Sequence, residues 1–198
     1  DPYILGVLIG DGSLTGNVAL FSNPDMDNDI MKRVASLLPD GYSVKMNDAP
    51  NCPQYCIVLQ GAKEGYIQRV KRLNLDVHSG DKFIPEEYKK GSHLQRLNLL
   101  RGLMDTDGHS YKNRTSFSTS SCRLAYDVID LVRSLGGISV VHYYDRDGKS
   151  GEYRVNMNIP ECPFYLERKA KEWSGPVVSR YIVDVEKVED AECVCIKV

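Results

Sequence analysis

The segments Ile4-Leu5-Gly6-Val7-Leu8-Ile9-Gly10-Asp11-Gly12-Ser13 and Leu100-Arg101-Gly102-Leu103-Met104-Asp105-Thr106-Asp107-Gly108-His109 are two versions of one pattern, 96 residues apart. At that offset Gly6 falls on Gly102, Gly10 on Thr106, Asp11 on Asp107 and Gly12 on Gly108. Residues four apart share a helix face, so Gly6 and Gly10 lie together, as do Gly102 and Thr106. Small residues at that spacing let two helix backbones approach closely, while Ile4, Leu5, Val7, Leu8, Leu100, Leu103 and Met104 bury the remaining surface. Each helix is expected to end at the glycine after its aspartate, where a left-handed backbone is cheap. Asp11 and Asp107 would then lie side by side, next to free carbonyls and the negative ends of two helix dipoles. Carboxylates so placed repel unless a cation sits between them, and hard oxygen ligands select ions such as Mg²⁺. One Asp-Gly pair alone is an ordinary turn after a buried helix.

The chain after each motif repeats in outline. Residues 14–22 and 111–119 read as strands. Residues 27–38 and 121–135 have helical apolar spacing, with Ile30, Val34, Leu37 and Leu38 in one and Leu124, Val128, Leu131, Val132 and Leu135 in the other. Both stop at glycine, Gly41 and Gly136-Gly137. Hairpins come next, 42–47 with 54–60 and 138–145 with 152–159, the second around the turn-rich Asp147-Gly148-Lys149-Ser150-Gly151. Helices near 62–73 and 163–173 close the two units. A repeated element order behind a repeated motif makes this an α+β chain of two equivalent halves.

The 198 residues suffice for one large domain or two small ones with a real core. At 42% hydrophobic and 26% charged, the composition is that of an ordinary water-soluble fold, and no apolar run reaches the length of a membrane span. An intracellular place, cytoplasm or nucleoid, is expected, with no membrane partner. Cys52, Cys56, Cys122, Cys162, Cys193 and Cys195 read as reduced thiols; a zinc site at Cys52 and Cys56 is the alternative, but no second pair completes it. A net charge of −2 argues mildly against nucleic acid, although charge segregated to one face is compatible with it. The chain has no phosphate-binding loop, Rossmann fingerprint or Ser/His/Asp pattern.

The segments LGVLIGDGS and LLRGLMDTDGH resemble the paired motifs of LAGLIDADG homing endonucleases, in the form with two motifs on one chain. The second is the closer match; in the first, Ile9 stands where the family has an acid that does not bind metal. Asp81-Lys82-Phe83-Ile84-Pro85-Glu86-Glu87-Tyr88 looks like the K-x-I-P segment of endonuclease domains carried in inteins, and residues 180–198 look like the strand stretch that returns to a splicing domain. The resemblance implies two pseudo-symmetric αββαββα units, residues 1–91 and 92–174, with an extension over 175–198. It also implies antiparallel sheets forming a saddle on double-stranded DNA, motif helices at the central interface, and a monomer with an internal pseudo-two-fold. Cleavage of both strands would leave short 3′ overhangs. Asp1 and Val198 are not the termini that splicing needs, so splicing by this chain alone is not expected.

The same resemblance assigns metal to Asp11 and Asp107, helped by the carbonyls of Gly10 and Thr106. The ion would be Mg²⁺, with Mn²⁺ or Ca²⁺ able to take the same site. Lys82 becomes the basic residue of one cleavage centre. Lys82 lies 71 residues after Asp11 and Arg180 lies 73 after Asp107, which makes Arg180 its positional counterpart. His78, His93, His109 and His142 read as solvated side chains. Strand alternation puts Tyr153, Val155, Met157 and Ile159 on one face and Arg154, Asn156 and Asn158 on the other, a polar row suited to base edges or simply to solvent. Lys45, Asn47 and Gln54 are the equivalents in the first half. Asn17 and Asn113, six residues past each acid, belong to the same face. Lys112, Arg114, Arg146 and Lys149 suit phosphates, which position without specifying. Two alternatives stay open on sequence alone: a regulator or RNA maturase of the same fold without nuclease activity, and a structural module in which Asp-Gly is only a turn.

Overall fold

The computed structural model describes residues 1–24, 27–47, 53–112, 114–146, 149–175, 182–187, 189–190, 192 and 194. In chain order the first half is α1 (Pro2–Asp11), β1 (Gly12–Ser13), β2 (Ala19–Ser22), α2 (Asn28–Leu37), β3 (Tyr42–Asn47), β4 (Gln54–Leu59), α3 (Tyr66–Lys71) and α4 (Glu86–Lys89). The second is α5 (His93–Asp107), β5 (Gly108–Tyr111), β6 (Arg114–Thr119), α6 (Cys122–Ser134), β7 (Ile138–Arg146), β8 (Lys149–Asn158) and α7 (Glu167–Ala170). The strands form two antiparallel four-stranded sheets of equivalent order, β1-β2-β4-β3 and β5-β6-β8-β7. This is the α+β fold of two αββαββα units that the sequence implied.

Local chemistry sets the helix ends. The Asp1 carboxylate accepts from the N–H groups of Tyr3 (2.8 Å) and Ile4 (3.2 Å), with Pro2 at the first helical position of α1. Ser92 and Gln95 make a reciprocal capping box at the start of α5. At the end of α6 the chain turns through Gly136 (φ +81°), whose N–H reaches Arg133 O while that of Gly137 reaches Val132 O.

Four expectations are corrected. Residues 14–22 and 111–119 are not single strands. The chain folds back within each, pairing Ser13 with Leu20 and Tyr111 with Arg114. Lys112, at φ 46°, makes the tight turn of the second. Gly12 (φ −84°, ψ 149°) and Gly108 (φ −83°, ψ 152°) are extended rather than left-handed, because each helix runs straight into a strand. Their glycine requirement is steric: a Cβ would lie 2.2 Å from Leu8 O and 2.4 Å from Met104 O respectively. The closing helices are shorter than the apolar spacing suggested, and α3 is followed by Asn74 at φ 58°. The second long hairpin continues to Arg146 and resumes at Lys149, so Lys149 and Gly151 belong to a strand.

One buried cluster joins both halves. It takes Phe21, Tyr55 and Ile57 from the first sheet, Phe117, Val155 and Met157 from the second, and the apolar face of α6. Between the sheets α1 and α5 touch main chain to main chain. A Cβ on Gly6 would be 2.3 Å from Leu99 O, and one on Gly102 would be 2.3 Å from Tyr3 O. Leu99 and Tyr3 are themselves related by the 96-residue offset, so the contact is reciprocal. No helix among the described residues is long and apolar enough to cross a membrane.

Gly6→Ala and Gly102→Ala are each expected to destabilise the fold at or beyond the upper end of the roughly 1–3 kcal/mol typical of overpacking, since the clash is with backbone that has nowhere to move. Gly80, whose added Cβ would meet nothing within 4 Å, is the control, and Gly80→Ala should stay within about 0.5 kcal/mol. Urea unfolding monitored by circular dichroism measures all three.

Candidate active site

Because α1 and α5 touch along their glycines, their C-termini arrive at one place. Asp11 and Asp107 line a common open cavity of about 500 Å³, together with Gly10, Lys82, Ser118 and Glu152. Glycine at position 10 makes room there: a Cβ would lie 2.0 Å from Thr106 Oγ1 and 3.1 Å from Asp107 Oδ2. The two acids are thus brought together as the repeat implied.

Both carboxyls hold protons more tightly than usual. Burial pushes Asp107 up to about 6, the negative charge of Asp11 adds to this, and Lys82 and Lys169 oppose it. Burial also raises Asp11, against the pull of the same two lysines. The repulsion between the acids is mutual; it shows mainly at Asp107 because Asp11 is the more open of the two.

Two buried ammonium groups cap the two helices. Lys82 Nζ donates to Gly10 O (2.7 Å) and Gly12 O (2.9 Å) at the end of α1. Lys169 Nζ donates to Met104 O (3.0 Å), Asp105 O (2.7 Å) and Thr106 O (3.0 Å) at the end of α5. Both ammonium groups therefore sit at the negative end of a helix, where a cation is stabilised, with Met104 O accepting from Gly108 N–H as well. Burial lowers the pKa of Lys82, and it lowers that of Lys169 to about 8 with help from the neighbouring Arg168 charge.

Lys169 therefore holds the place opposite Lys82, and counting forward from the second acid missed it. Arg180, the residue reached by counting, lies outside the described residues. The connection to Lys82 is simply longer than the one to Lys169. A signal was present: Leu166, Lys169, Ala170 and Trp173 share one helical face, so Lys169 sits on an apolar stripe. The carbonyls of Gly10 and Thr106 accept from ammonium groups in this structure, and the two carboxylates line the cavity beside them. Among the described residues no cluster of three or more His, Cys, Asp or Glu could hold a metal. A pair of carboxylates fits a Mg²⁺-like ion, which takes one or two protein carboxylates and fills its shell with water and phosphate oxygens.

The outer sheet faces carry six of the twelve residues expected at DNA. Register sets Asn47 opposite Gln54 and Lys45 opposite Cys56, with Tyr55 and Ile57 turned to the core. Asn156 and Asn158 are exposed beside buried Val155, Met157 and Ile159, and Arg154 shares their face. Arg154 is not free: its Nε and Nη2 donate to Glu152 Oε1 (3.2 and 2.8 Å), which also accepts from Ser118 Oγ. Arg114 and Lys112 are exposed at the β5–β6 turn. Asn17 sits exposed in the β1–β2 loop rather than on a strand face. Asn113 and the side chains of Arg146 and Lys149 lie outside the described residues. Cys56, Cys122 and Cys162 are free thiols, while Cys52, Cys193 and Cys195 lie outside the described residues.

Residues 94–170 match the family described as LAGLIDADG-like domain. Over its full length the chain is 30% identical to the replicative DNA helicase DnaB of Mycobacterium intracellulare, of which it spans 31%. Its fold is similar to that of the homing endonuclease I-DmoI. The I-DmoI complex with DNA and Ca is matched at a TM-score of 0.59 and 14% identity, over 86% of this chain and 94% of that one. The complex with DNA and Mn is matched at 0.58 and 15%, over 79% and 87%. The chain has the LAGLIDADG fold.

A carboxyl whose pKa the fold raises is charged at the expense of stability. The native state holds the extra proton between the ordinary carboxylate range and about 6, and above that the ionised group destabilises it. Asp107→Asn, which mimics the protonated acid, is expected to stabilise the chain at about pH 8 by roughly 1–3 kcal/mol, one pKa unit being about 1.4 kcal/mol. The gain should shrink as pH falls through about 6 and vanish near pH 4. Urea unfolding of both proteins across that range measures it.

Proposed function

We propose that the chain is a homing endonuclease of the intein-borne kind, making a divalent-metal-dependent double-strand break in a long DNA site. The observation that carries this is the convergence of Asp11, Asp107 and the buried Lys82 at one cavity, with the buried Lys169 capping the adjoining end of α5. A divalent ion held there would supply a Lewis acid and an activated water for phosphodiester hydrolysis. Asp11 and Asp107 would hold that charge, with Mg²⁺ as the natural ion. Lys82 and Lys169 would keep positive charge beside the phosphate as it becomes more negative, held where no reorganisation is needed. With one lysine at each helix end, each strand would meet its own cleavage centre, and staggered cuts would leave short 3′ overhangs. Both acids lie on one chain, which supports action as a monomer.

The outer faces offer Lys45, Asn47, Gln54, Asn156 and Asn158 to base edges, and Arg154 once it leaves Glu152, where Arg reads guanine and Asn or Gln reads adenine. The relation to a helicase supports the intein reading. The chain itself carries no phosphate-binding loop sequence, and it spans 31% of that relative. It fits an endonuclease unit carried inside a host protein, with residues 175–198 returning to a splicing domain.

Incubation with a library of long duplexes and Mg²⁺ tests the reading. Linear products with paired 3′ overhangs are expected, and chelation should abolish them. Asp11→Asn and Asp107→Asn should each remove double-strand cutting while leaving binding in place. Lys82→Met and Lys169→Met should each slow cutting by about a hundredfold or more. Binding that persists in Mg²⁺ without any cutting would instead make the chain a regulator or maturase, and no DNA affinity would sink both.

A further inference from the structure

We propose that each buried lysine is held in place by the opposite repeat: Ser121 and Asp127 of the second half position Lys82, and Asp27 of the first half positions Lys169. The inference rests on the reading of these lysines as parts of the two cleavage centres.

The segment that carries Lys82 is fastened to α6. The hydroxyl of Ser121, fully buried, donates to Lys82 O at 2.6 Å and accepts from Leu124 N–H as the N-cap of that helix. Asp127 Oδ2 accepts from Ile84 N–H (2.8 Å), and its Oδ1 pairs with Lys89 Nζ (2.8 Å). The Arg123 guanidinium lies 3.8 Å over the Phe83 ring.

The segment that carries Lys169 is fastened to its own α5 through Asp105, which accepts from Tyr165 and Leu166 N–H, and beyond that to α2 and α1 of the first repeat. Arg168 makes a bidentate pair with the buried carboxylate of Asp27 (2.5 and 2.6 Å), the residue that precedes α2. Arg33 of α2 lies 3.2 Å over the Tyr165 ring. Both arms therefore use the helix that follows the motif in the other repeat, with a polar group at its N-terminus and an arginine–aromatic stack. A lysine side chain is flexible, so its ammonium reaches two or three carbonyls reproducibly only if its own backbone is fixed. The first cleavage centre would then be set by the second repeat, and the second by the first.

Lysine reactivity in protein free of metal and DNA tests this directly. Labelling with an amine-reactive ester, read by peptide mass spectrometry, should find Lys82 and Lys169 protected, as their 5% and 7% exposure requires. Asp127→Ala should raise labelling of Lys82 by about tenfold or more and leave Lys169 protected, because it removes hydrogen bonds to a charged group. Asp27→Ala should do the reverse. Asp127→Asn and Asp27→Asn, which keep the side-chain volume, replace any alanine variant that does not fold. A rise at both lysines in either variant, or at neither, would overturn the proposal. On a cleavable duplex, the two variants should accumulate nicks that leave opposite strands intact, and the exchange Asp27→Arg with Arg168→Asp should restore the second cut. Slowing of the same strand by both would also overturn it. If the unaltered chain cuts no DNA, the endonuclease reading fails, while the labelling still decides the positioning.

Discussion

The structure depends on main-chain contact between two helices at Gly6 and Gly102. Neither position has room for a single carbon atom, since the nearest backbone oxygen would be 2.3 Å away. Interior packing is dense enough that such a contact has one geometry and little slack. Its consequence is electrostatic. Two helices that touch this closely and end together point two sets of unpaired carbonyls and two aspartates at one spot. The fold creates a concentration of negative charge that must be balanced from elsewhere.

That balance comes from two ammonium groups taken out of water. Burial of Lys82 and Lys169 works against their charge, and Lys169 is brought down to about 8. The carbonyls they cap repay part of the desolvation, since a buried cation must be paired or hydrogen-bonded. The carboxylates are left facing the cavity, with Asp107 raised to about 6 by burial first and by the second acid close by. Near neutral pH the site therefore holds both signs of charge under mutual strain. Such an arrangement favours guests that bring both signs as well, a cation for the acids and a phosphate for the lysines. The free energy withheld from folding is then available to binding.

Much of this was legible in the sequence, and the limits have a physical pattern. The motif pair, the amphipathic helices and the alternation of Val155, Asn156, Met157 and Asn158 were readable because each is a local periodicity, and the 96-residue offset tied the halves together. Asp11 and Asp107 met because the repeat is in register up to them. Gly12 and Gly108 were read as left-handed caps, but a sequence does not distinguish a glycine needed for its φ from one needed for close approach. Lys169 was missed because register is lost after the sheets. An ammonium is placed by distance through space, and counting along the chain carries no such information.

The loss of register has a specific origin at the position where the motifs differ most. In the second motif Asp105 is buried and accepts from Tyr165 N–H (3.0 Å), Leu166 N–H (2.9 Å) and the Tyr3 hydroxyl (2.8 Å). It draws the chain after β8 directly onto α5, so a short path suffices to bring Lys169 over the helix end. In the first motif the same position is Ile9, fully buried and with no side-chain acceptor to offer. The chain after β4 has no such acceptor on α1 and runs on through a 3₁₀ turn at Ser79–Asp81 before Asp127 of the other repeat catches it at Ile84. One path is tied to its own motif helix as well as to Asp27 of the other repeat, the other to α6 of the other repeat, and both deliver an ammonium to a motif-helix end, where Gly10 O and Thr106 O are the carbonyls that correspond. The pseudo-two-fold is thus carried by the charge positions and by docking on the opposite repeat, while the paths that connect them differ in length and in their tie to the motif helix.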